Sequence, residues 1–287
     1  MKRLNLVLLL ISLLLTASAV SAQSYPTHTD YTYSNVVTGY QGTLSGSTER
    51  LTRGYARFSG TRTTDALTTD GWQAFGVRVT SGTQVVGVYA VRSRGNLFGE
   101  SYVTPRWRLC AWANPGPGGS CVLSGTPSNI WVDDSGGQYN TADDIAATGA
   151  VIMQIQKESS GNWSIHWADN GEASTKLGHF PAALFAGLGS SPTGLNGASS
   201  ATSTVRYEMI AGGSGADVGN SAGNFKAYGL LYQRGLGGAW MQLGAQTDVA
   251  DSVFDWGGFD PGELFQGSAT CGSSYSSKPC FFAGGAR

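Results

Sequence analysis

The histidines are the strongest general-base candidates in this sequence, and the three of them lie far apart, at His28, His166 and His179. A serine or cysteine hydrolase needs such a base within hydrogen-bond reach of its nucleophile. The chain contains no Gly-x-Ser-x-Gly segment, which would present a serine on a tight strand-to-helix turn. We therefore expect no serine or cysteine triad.

Oxygen-bearing side chains cluster in one polar loop, which contains Asp133, Asp134, Asn140, Asp143 and Asp144. Oxygen ligands of this kind are what calcium prefers. The spacing does not fit an EF-hand, however, and the end of the loop also fits a capped turn. The pattern favours a solvated loop, and we expect neither a metal nor a cofactor.

Two of the eight tryptophans, Trp163 and Trp167, lie four residues apart on one predicted strand and therefore share a face. Core packing is the commoner role for such aromatic side chains, because they bury a large apolar area. If the pair is exposed instead, the two rings can stack on a sugar or a peptide. Trp163 and Trp167 are therefore the candidate binding residues.

The first 22 residues are typical of a signal peptide, with two basic residues, the apolar run Leu4–Leu15 and the small residues Val20–Ala22. The apolar run is too short for a good membrane span. We expect a secreted protein without a membrane partner, whose mature chain begins at Gln23 with an arm that extends to residue 37.

Four cysteines remain after export: Cys110, Cys121, Cys271 and Cys280. An oxidising compartment favours disulfides, and four cysteines allow three pairings. Their spacing favours the two local pairs Cys110–Cys121 and Cys271–Cys280. No histidine or further cysteine stands at the spacing of a zinc site, so the predicted role of all four is structural.

The overall charge is balanced, with 18 basic and 19 acidic residues, and only 13% of the chain is charged. A nucleic-acid-binding protein would show a basic patch, so we expect no nucleic-acid partner. The 42 glycines, together with many threonines, valines and aromatic residues, favour short strands joined by tight turns. We expect the protein to have many short strands and to be a monomer.

Alternating apolar residues predict a series of strands, beginning with a hairpin formed by Gly71–Thr80 and Thr83–Arg92. Only Pro181–Leu188 has a helical pattern, with proline in its first turn. The predicted fold is all-β: an antiparallel two-sheet β-sandwich with one short capping helix. Further strands are predicted at 106–113, 129–132, 149–157, 162–168, 204–210, 225–234 and 239–244.

Several segments resemble the neprosin family in their order along the chain. They are Gly161-Asn162-Trp163, the Gly178-His179-Phe180-Pro181 strand end with its Leu-Phe helix, Tyr207–Gly213, Phe225–Tyr228 and Cys280–Gly285. In that family a Gly-Asn-Trp-Trp strand precedes Gly-Tyr-Trp-Pro and a Leu-Phe helix, whereas here Ser164 replaces the second tryptophan and His179-Phe180 replace Tyr-Trp. The resemblance covers roughly Gly87 to Arg287 and predicts a neprosin-like domain over residues 38–287.

The resemblance implies a β-sandwich with a groove and a glutamic-peptidase active site. There, one carboxyl would activate water and the other would donate a proton, because mutual repulsion separates their pKa values. The family's first glutamate matches Val85 and its second matches Ala198, so both carboxyls are replaced in this chain. Gln84 is one residue away, but strand alternation would turn it to the opposite face.

Two acids elsewhere, Glu100 and Glu208, are the remaining catalytic candidates. Their structural alternatives are a loop acid for Glu100 and an ion pair with a neighbour such as Arg206 for Glu208. The sequence thus predicts a secreted, non-catalytic, peptidase-like protein whose groove binds a peptide or a glycan. The alternative is an active acid-pH glutamic endopeptidase that uses relocated carboxyls.

Overall fold

A computed structural model of the chain provides the structure. It describes residues 36–44, 51–60, 71–81, 84–94, 106–114, 130–136, 145, 148–169, 173–186, 202–212, 225–243, 254–259 and 281–283. The predicted signal peptide and nearly all of the predicted arm lie outside these residues, so both remain predictions. Within the described residues, no helix is long and apolar enough to cross a membrane.

The described residues form strands and one short helix. In chain order these are β1 Val36–Leu44, β2 Leu51–Ser59, β3 Trp72–Ser81, β4 Gln84–Ser93, β5 Arg108–Asn114, β6 Val132–Asp133, β7 Ala150–Lys157, β8 Trp163–Asp169, β9 Thr175–Phe180, α1 Ala183–Ala186, β10 Ser203–Gly212, β11 Phe225–Arg234, β12 Met241–Gln242, β13 Phe254–Phe259 and β14 Phe281–Ala283. The strands pair antiparallel throughout.

Two sheets pack face to face. Sheet 1 has the order β13-β1-β10-β3-β4-β5, and sheet 2 has the order β12-β11-β2-β7-β8-β9-β6, with β14 paired to β11. The prediction of an all-β sandwich is thereby confirmed, as is the predicted β3–β4 hairpin, in which Val77 lies opposite Val88. Strands from before and after residues 187–201 are neighbours in both sheets, since β10 lies between β1 and β3, and β11 lies beside β2.

A continuous aromatic core joins the two sheets. Phe58 of sheet 2 contacts Phe75 of sheet 1 with ring centroids 4.9 Å apart, and Phe75 contacts Trp107 at 5.2 Å. Trp131 packs against Phe180 at 4.9 Å. Each such ring stabilises the fold by about 1.5–3 kcal/mol when it is fully removed from water.

The helix α1 closes one end of the sandwich. Phe185 is buried in the core, and Leu184 packs against the same cluster. Gln84 donates to the Phe185 carbonyl at 3.2 Å, and Asn162 Oδ1 accepts from the Ala182 amide at 2.9 Å. The predicted helix is therefore present, tied to both sheets, over Ala183–Ala186; residues 187 and 188 lie outside the described residues.

Candidate functional site

The outer face of sheet 1 carries the one catalytic candidate that the structure describes, Glu208. Along β10, Val205, Tyr207 and Met209 belong to the core, so strand alternation turns Arg206 and Glu208 to the opposite face. Glu208 nevertheless has no exposed surface. A buried carboxylate on an outer sheet face requires partners that replace water.

Glycines on both neighbouring strands make room around Glu208. Gly39 lies opposite it on β1 and Gly76 on β3, and Tyr89 on β4 follows Gly76 in the same row. A Cβ atom at position 76 would clash with the Val88 carbonyl and lie only 2.6 Å from the Tyr89 ring. Glycine therefore lets the Tyr89 ring cross β3 and reach Glu208.

Two side chains hold the carboxylate. Tyr89 Oη donates to Glu208 Oε1 at 2.7 Å. Arg78 Nε lies 3.0 Å from the same oxygen, as an ion pair whose angle is not that of a hydrogen bond. Glu208 Oε2 is also buried and has no hydrogen-bond partner among the described residues. The carboxylate is thus enclosed and anchored through one oxygen.

Glu208 forms an ion pair, as its structural alternative proposed, but the partner is Arg78 on the adjacent strand and not the example Arg206. Arg206 instead donates from Nε to Gln41 Oε1 at 2.9 Å. Arg206 and Arg78 lie directly opposite each other, and like charges in such a pair repel. Glu208 offsets that repulsion because its carboxylate lies beside Arg78.

The pKa directions of Tyr89, Arg78 and Arg206 reflect their burial and the charges beside them. Burial raises the pKa of Tyr89 well above its usual value, and the negative charge of Glu208 raises it further. Burial alone would lower the pKa of Arg78, but the neighbouring Tyr89 and Glu208 raise it overall. Burial, followed by the charge of Arg78, lowers the pKa of Arg206. Tyr89 therefore stays a neutral hydrogen-bond donor and Arg78 stays charged.

Val85, the position that matches the family's first glutamate, is on β4 opposite Thr80, and Thr80 lies opposite Thr204. Val85 is thus four residues and two strands away from Glu208, a backbone separation of roughly 17 Å from strand rise and spacing. Gln84 faces the core, as alternation predicted. Ala198 and Glu100 lie outside the described residues, so the candidate pair Glu100–Glu208 stays a prediction.

Trp163 and Trp167 do share a face, and that face is the core: their exposures are 0% and 4%. Neither ring presents a surface to a ligand, which corrects their assignment as binding residues and favours the core-packing alternative. Trp240, which sequence reasoning missed, is 39% exposed. Trp240 falls within the strand predicted over 239–244, but the observed strand β12 covers only Met241–Gln242 and leaves Trp240 in the glycine-rich loop before it.

The acidic loop contributes an ion cluster on the outer side of sheet 2. Lys176 Nζ lies 2.8 Å from both Asp134 and Glu158, and His179 Nδ1 lies 2.8 Å from Asp134. Asp133 accepts from the amide and hydroxyl of Ser135, as a turn-capping residue does. Within the part of the chain that the structure describes, no group of three or more potential metal ligands assembles.

The cysteines and one serine–histidine contact offer no catalytic arrangement within the described residues. The pairing Cys110–Cys121 and Cys271–Cys280 is not tested, because only Cys110 of the four lies within the described residues, buried on β5.

Ser164 Oγ lies 3.2 Å from His166 Nε2, but its hydroxyl donates to the Gln156 carbonyl and is buried. That contact is part of strand packing and leaves no room for a substrate carbonyl.

Comparison with known proteins gives a likeness of fold only. No family model matches the sequence, and no curated protein matches it. Among solved structures, the chain is similar to scytalido-glutamic peptidase with a peptide-based transition-state analogue, at 10% identity and a TM-score of 0.37, over 70% of this chain and 81% of that one. It is also similar to SCP-B, an eqolisin-family peptidase in complex with the tripeptide Ala-Ile-His, at 11% identity and a TM-score of 0.36, over 73% and 84% of the two chains.

Proposed function

We propose that this chain is a secreted protein with a peptidase-like β-sandwich that binds a peptide or a glycan and does not hydrolyse it. The observation that carries the proposal is the state of Glu208, which has no exposed surface and is held by Tyr89 and Arg78. Its role is structural: its carboxylate lies between the buried Tyr89 and the partly buried Arg78.

Acid–base hydrolysis requires a base and an acid within hydrogen-bond reach of the same water and carbonyl. Glu208 is the single acidic residue in β1, β3, β4, β5 and β10. The edge strand β13 carries Asp255, but its register opposite Thr43 separates it from Glu208 by four residues and two strands, roughly 17 Å. No second carboxyl on these six strands is near enough to share a proton with Glu208.

The sequence resemblance to neprosins supports the same conclusion from another direction. The position that matches the family's first glutamate is Val85, whose side chain cannot transfer a proton. The signal-peptide pattern of residues 1–22 supports export, and export in turn supports the two predicted disulfides. What remains of the family pattern is the scaffold without its proton-transfer pair.

A peptide-library digest of the purified mature chain, from about pH 3 to about pH 7, tests this function, since that range spans the pH at which paired carboxyls act. We expect no cleavage by the wild-type chain. Glu208→Gln and Glu100→Gln are the informative variants, and Asp133→Asn is the control for removal of an exposed carboxylate.

Cleavage that is lost in Glu208→Gln or Glu100→Gln, and retained in Asp133→Asn, would overturn the proposal in favour of a peptidase with relocated carboxyls. Cleavage retained in all three variants would overturn it as well, and would place the catalytic residues elsewhere in the chain.

A further inference from the structure

The loop between β11 and β12 exposes two large apolar side chains, Leu236 at 55% and Trp240 at 39%. They are the exposed large hydrophobic residues in the part of the chain that the structure describes. The exposed part of a tryptophan contributes no free energy of burial to the fold. Exposed apolar residues close together commonly mark a binding surface. This hairpin loop is therefore a candidate ligand-binding surface.

Buried polar contacts fix the shape of that loop. Thr52 Oγ1 donates to the carbonyl of Gly235 at 2.8 Å and lies 3.3 Å from that of Gln233, and Gln233 Nε2 donates to the Gly238 carbonyl. Thr52 and Gln233 are both buried at 3% exposure. Because these bonds order the loop before any ligand arrives, binding would lose little loop entropy.

The Trp240 ring is supported from one side by two residues of β2. The Arg53 guanidinium lies over the indole at 5.3 Å from its centroid, and the Tyr55 ring meets it edge-on at 6.1 Å. These contacts hold the ring in place, while Trp240 remains 39% exposed. The arrangement presents a flat aromatic platform on the surface of sheet 2.

A cleft of about 490 Å³ lies between the β11–β12 loop and the β7–β8 turn. We call it the loop–turn cleft; its lining includes Arg53, Gln156, Glu158, Ser159 and Leu236. Arg53 connects the two features, since it both lines the cleft and supports Trp240. A second cavity of about 410 Å³ continues past Leu236 and Glu158 towards Ala183.

The polar groups of the cleft are planar and have hydrogen-bonding capacity left. Gln154 donates to Gln156 Oε1 at 3.1 Å, and the structure records no partner for Gln156 Nε2 among the described residues. Lys176 holds Glu158 Oε1 at 2.8 Å, while Glu158 Oε2 receives only a long contact of 3.4 Å from Ser160. An amide donor and a carboxylate acceptor are thus fixed in the lining of the cleft.

We propose that an oligosaccharide binds in the loop–turn cleft and extends past Arg53 to Trp240, on which one sugar ring stacks. The apolar C–H face of a sugar ring matches the indole, and adjacent hydroxyls match the planar groups of Gln156, Glu158 and Arg53. An extended peptide would need a long open strand edge, whereas the nearby edge strand β12 has two residues. This proposal names the ligand class for the binding function proposed above, and it therefore rests on that function.

The test is a fluorescence titration of the mature chain with soluble hexasaccharides built from glucose, xylose, mannose and N-acetylglucosamine, and with a random hexapeptide mixture. We expect one of the hexasaccharides to shift the tryptophan emission in the wild type. We expect Trp240→Ala to weaken that affinity by about tenfold or more, as the loss of an aromatic anchor does. Gln156→Leu, which keeps the ring, should weaken it as well.

Trp112→Phe is the matched control, because Trp112 lies on the outer face of sheet 1 and its loss leaves the loop–turn cleft intact. Unchanged affinity in Trp240→Ala, or loss confined to Trp112→Phe, would overturn the assignment of this cleft. Binding of the peptide mixture alone, lost in Trp240→Ala, would overturn the ligand class. Binding of no hexasaccharide would overturn the proposal, whereas peptide cleavage would count against the non-catalytic function instead.

Discussion

Glu208 takes its role from its two partners. Its carboxylate accepts a hydrogen bond from Tyr89 and lies beside Arg78, which is only 22% exposed. Once Glu208 is removed, Arg78 keeps its charge in a largely buried site without a counter-ion. The penalty for such an orphaned charge is larger than the net contribution of an intact pair.

Glu208→Ala should therefore lower the free energy of unfolding by about 3 kcal/mol, as loss of one partner of a buried ion pair does. Tyr89→Phe should lower it by about 1.5 kcal/mol, since it removes one hydrogen bond to a charged group. Denaturant unfolding measures both. Glu158→Ala, a surface ion-pair control, should change it by about 1 kcal/mol or less. A Glu208→Ala effect no larger than this control would show that the buried pair does not stabilise the fold.

Single tryptophans show where sequence reasoning reaches its limit at this scale. The spacing of Trp163 and Trp167 correctly predicted a shared face, because strand alternation has a period of two. Alternation does not say which face of a sheet meets the other sheet, and the structure places both rings in the core. The strand predicted over 239–244 did not reveal that Trp240 is exposed, because its exposure depends on a loop that Thr52 holds from a distance in sequence and that Gln233 also holds.

At the scale of elements, an ion cluster joins β9 to the loop after β6 and to the β7–β8 turn. Burial raises the pKa of Asp134, but hydrogen bonds from His179 and Lys176 outweigh that effect and lower it. Burial likewise raises the pKa of Glu158, and its hydrogen bond with Lys176 reverses the direction. Both carboxyls are therefore stronger acids in the folded chain than in the unfolded one.

This direction predicts how stability depends on pH. The lowered pKa values contribute stability that is complete above the unfolded values of 3.8 and 4.5, and that is lost as the pH falls through the lower folded values. In Lys176→Met, which removes the shared cation, the free energy of unfolding should fall less steeply between about pH 5 and about pH 2. Lys226→Met, a lysine outside the cluster, is the control; equal slopes in both variants would refute the linkage.

The β3–β4 hairpin could be predicted from sequence because its apolar alternation is strong and its turn is short. The strand β2 was missed, although it lies at the centre of sheet 2. Its inward positions include Thr52 and Gly54, which dilute the apolar pattern. A Cβ atom at Gly54 would lie 2.9 Å from the Val77 and Val205 side chains of sheet 1. Glycine is required there by the opposite sheet, and a single strand's sequence does not contain that information.

At the scale of the whole molecule, the two outer faces of the sandwich carry different groups of side chains. Sheet 1 carries the enclosed network of Glu208, Tyr89 and Arg78, and sheet 2 carries the Trp240 platform and the loop–turn cleft. The fold class follows from strand pattern, which is a local property of the sequence. The sites do not, because they depend on which strands become neighbours, and β10 meets β1 across 161 residues of sequence at Thr43 and Thr204.

Disulfides are the remaining whole-molecule prediction. Export and spacing predict Cys110–Cys121 and Cys271–Cys280, each closing a short loop and contributing about 2–4 kcal/mol. Peptide mapping without reduction should recover these two crosslinked pairs. A crosslink that joins the Cys110 fragment to the Cys271 fragment would contradict the predicted pairing.

The most direct test of binding without hydrolysis is the chemical state of the retained ligand. The mature chain is incubated at acid pH with the hexasaccharide panel and the hexapeptide mixture, the complex is isolated by size exclusion, and its ligand is identified by mass spectrometry. We expect an intact hexasaccharide, absent from the Trp240→Ala complex, and peptides without new termini. Peptide fragments with new termini, formed by the wild type and not by Glu208→Gln, would contradict it.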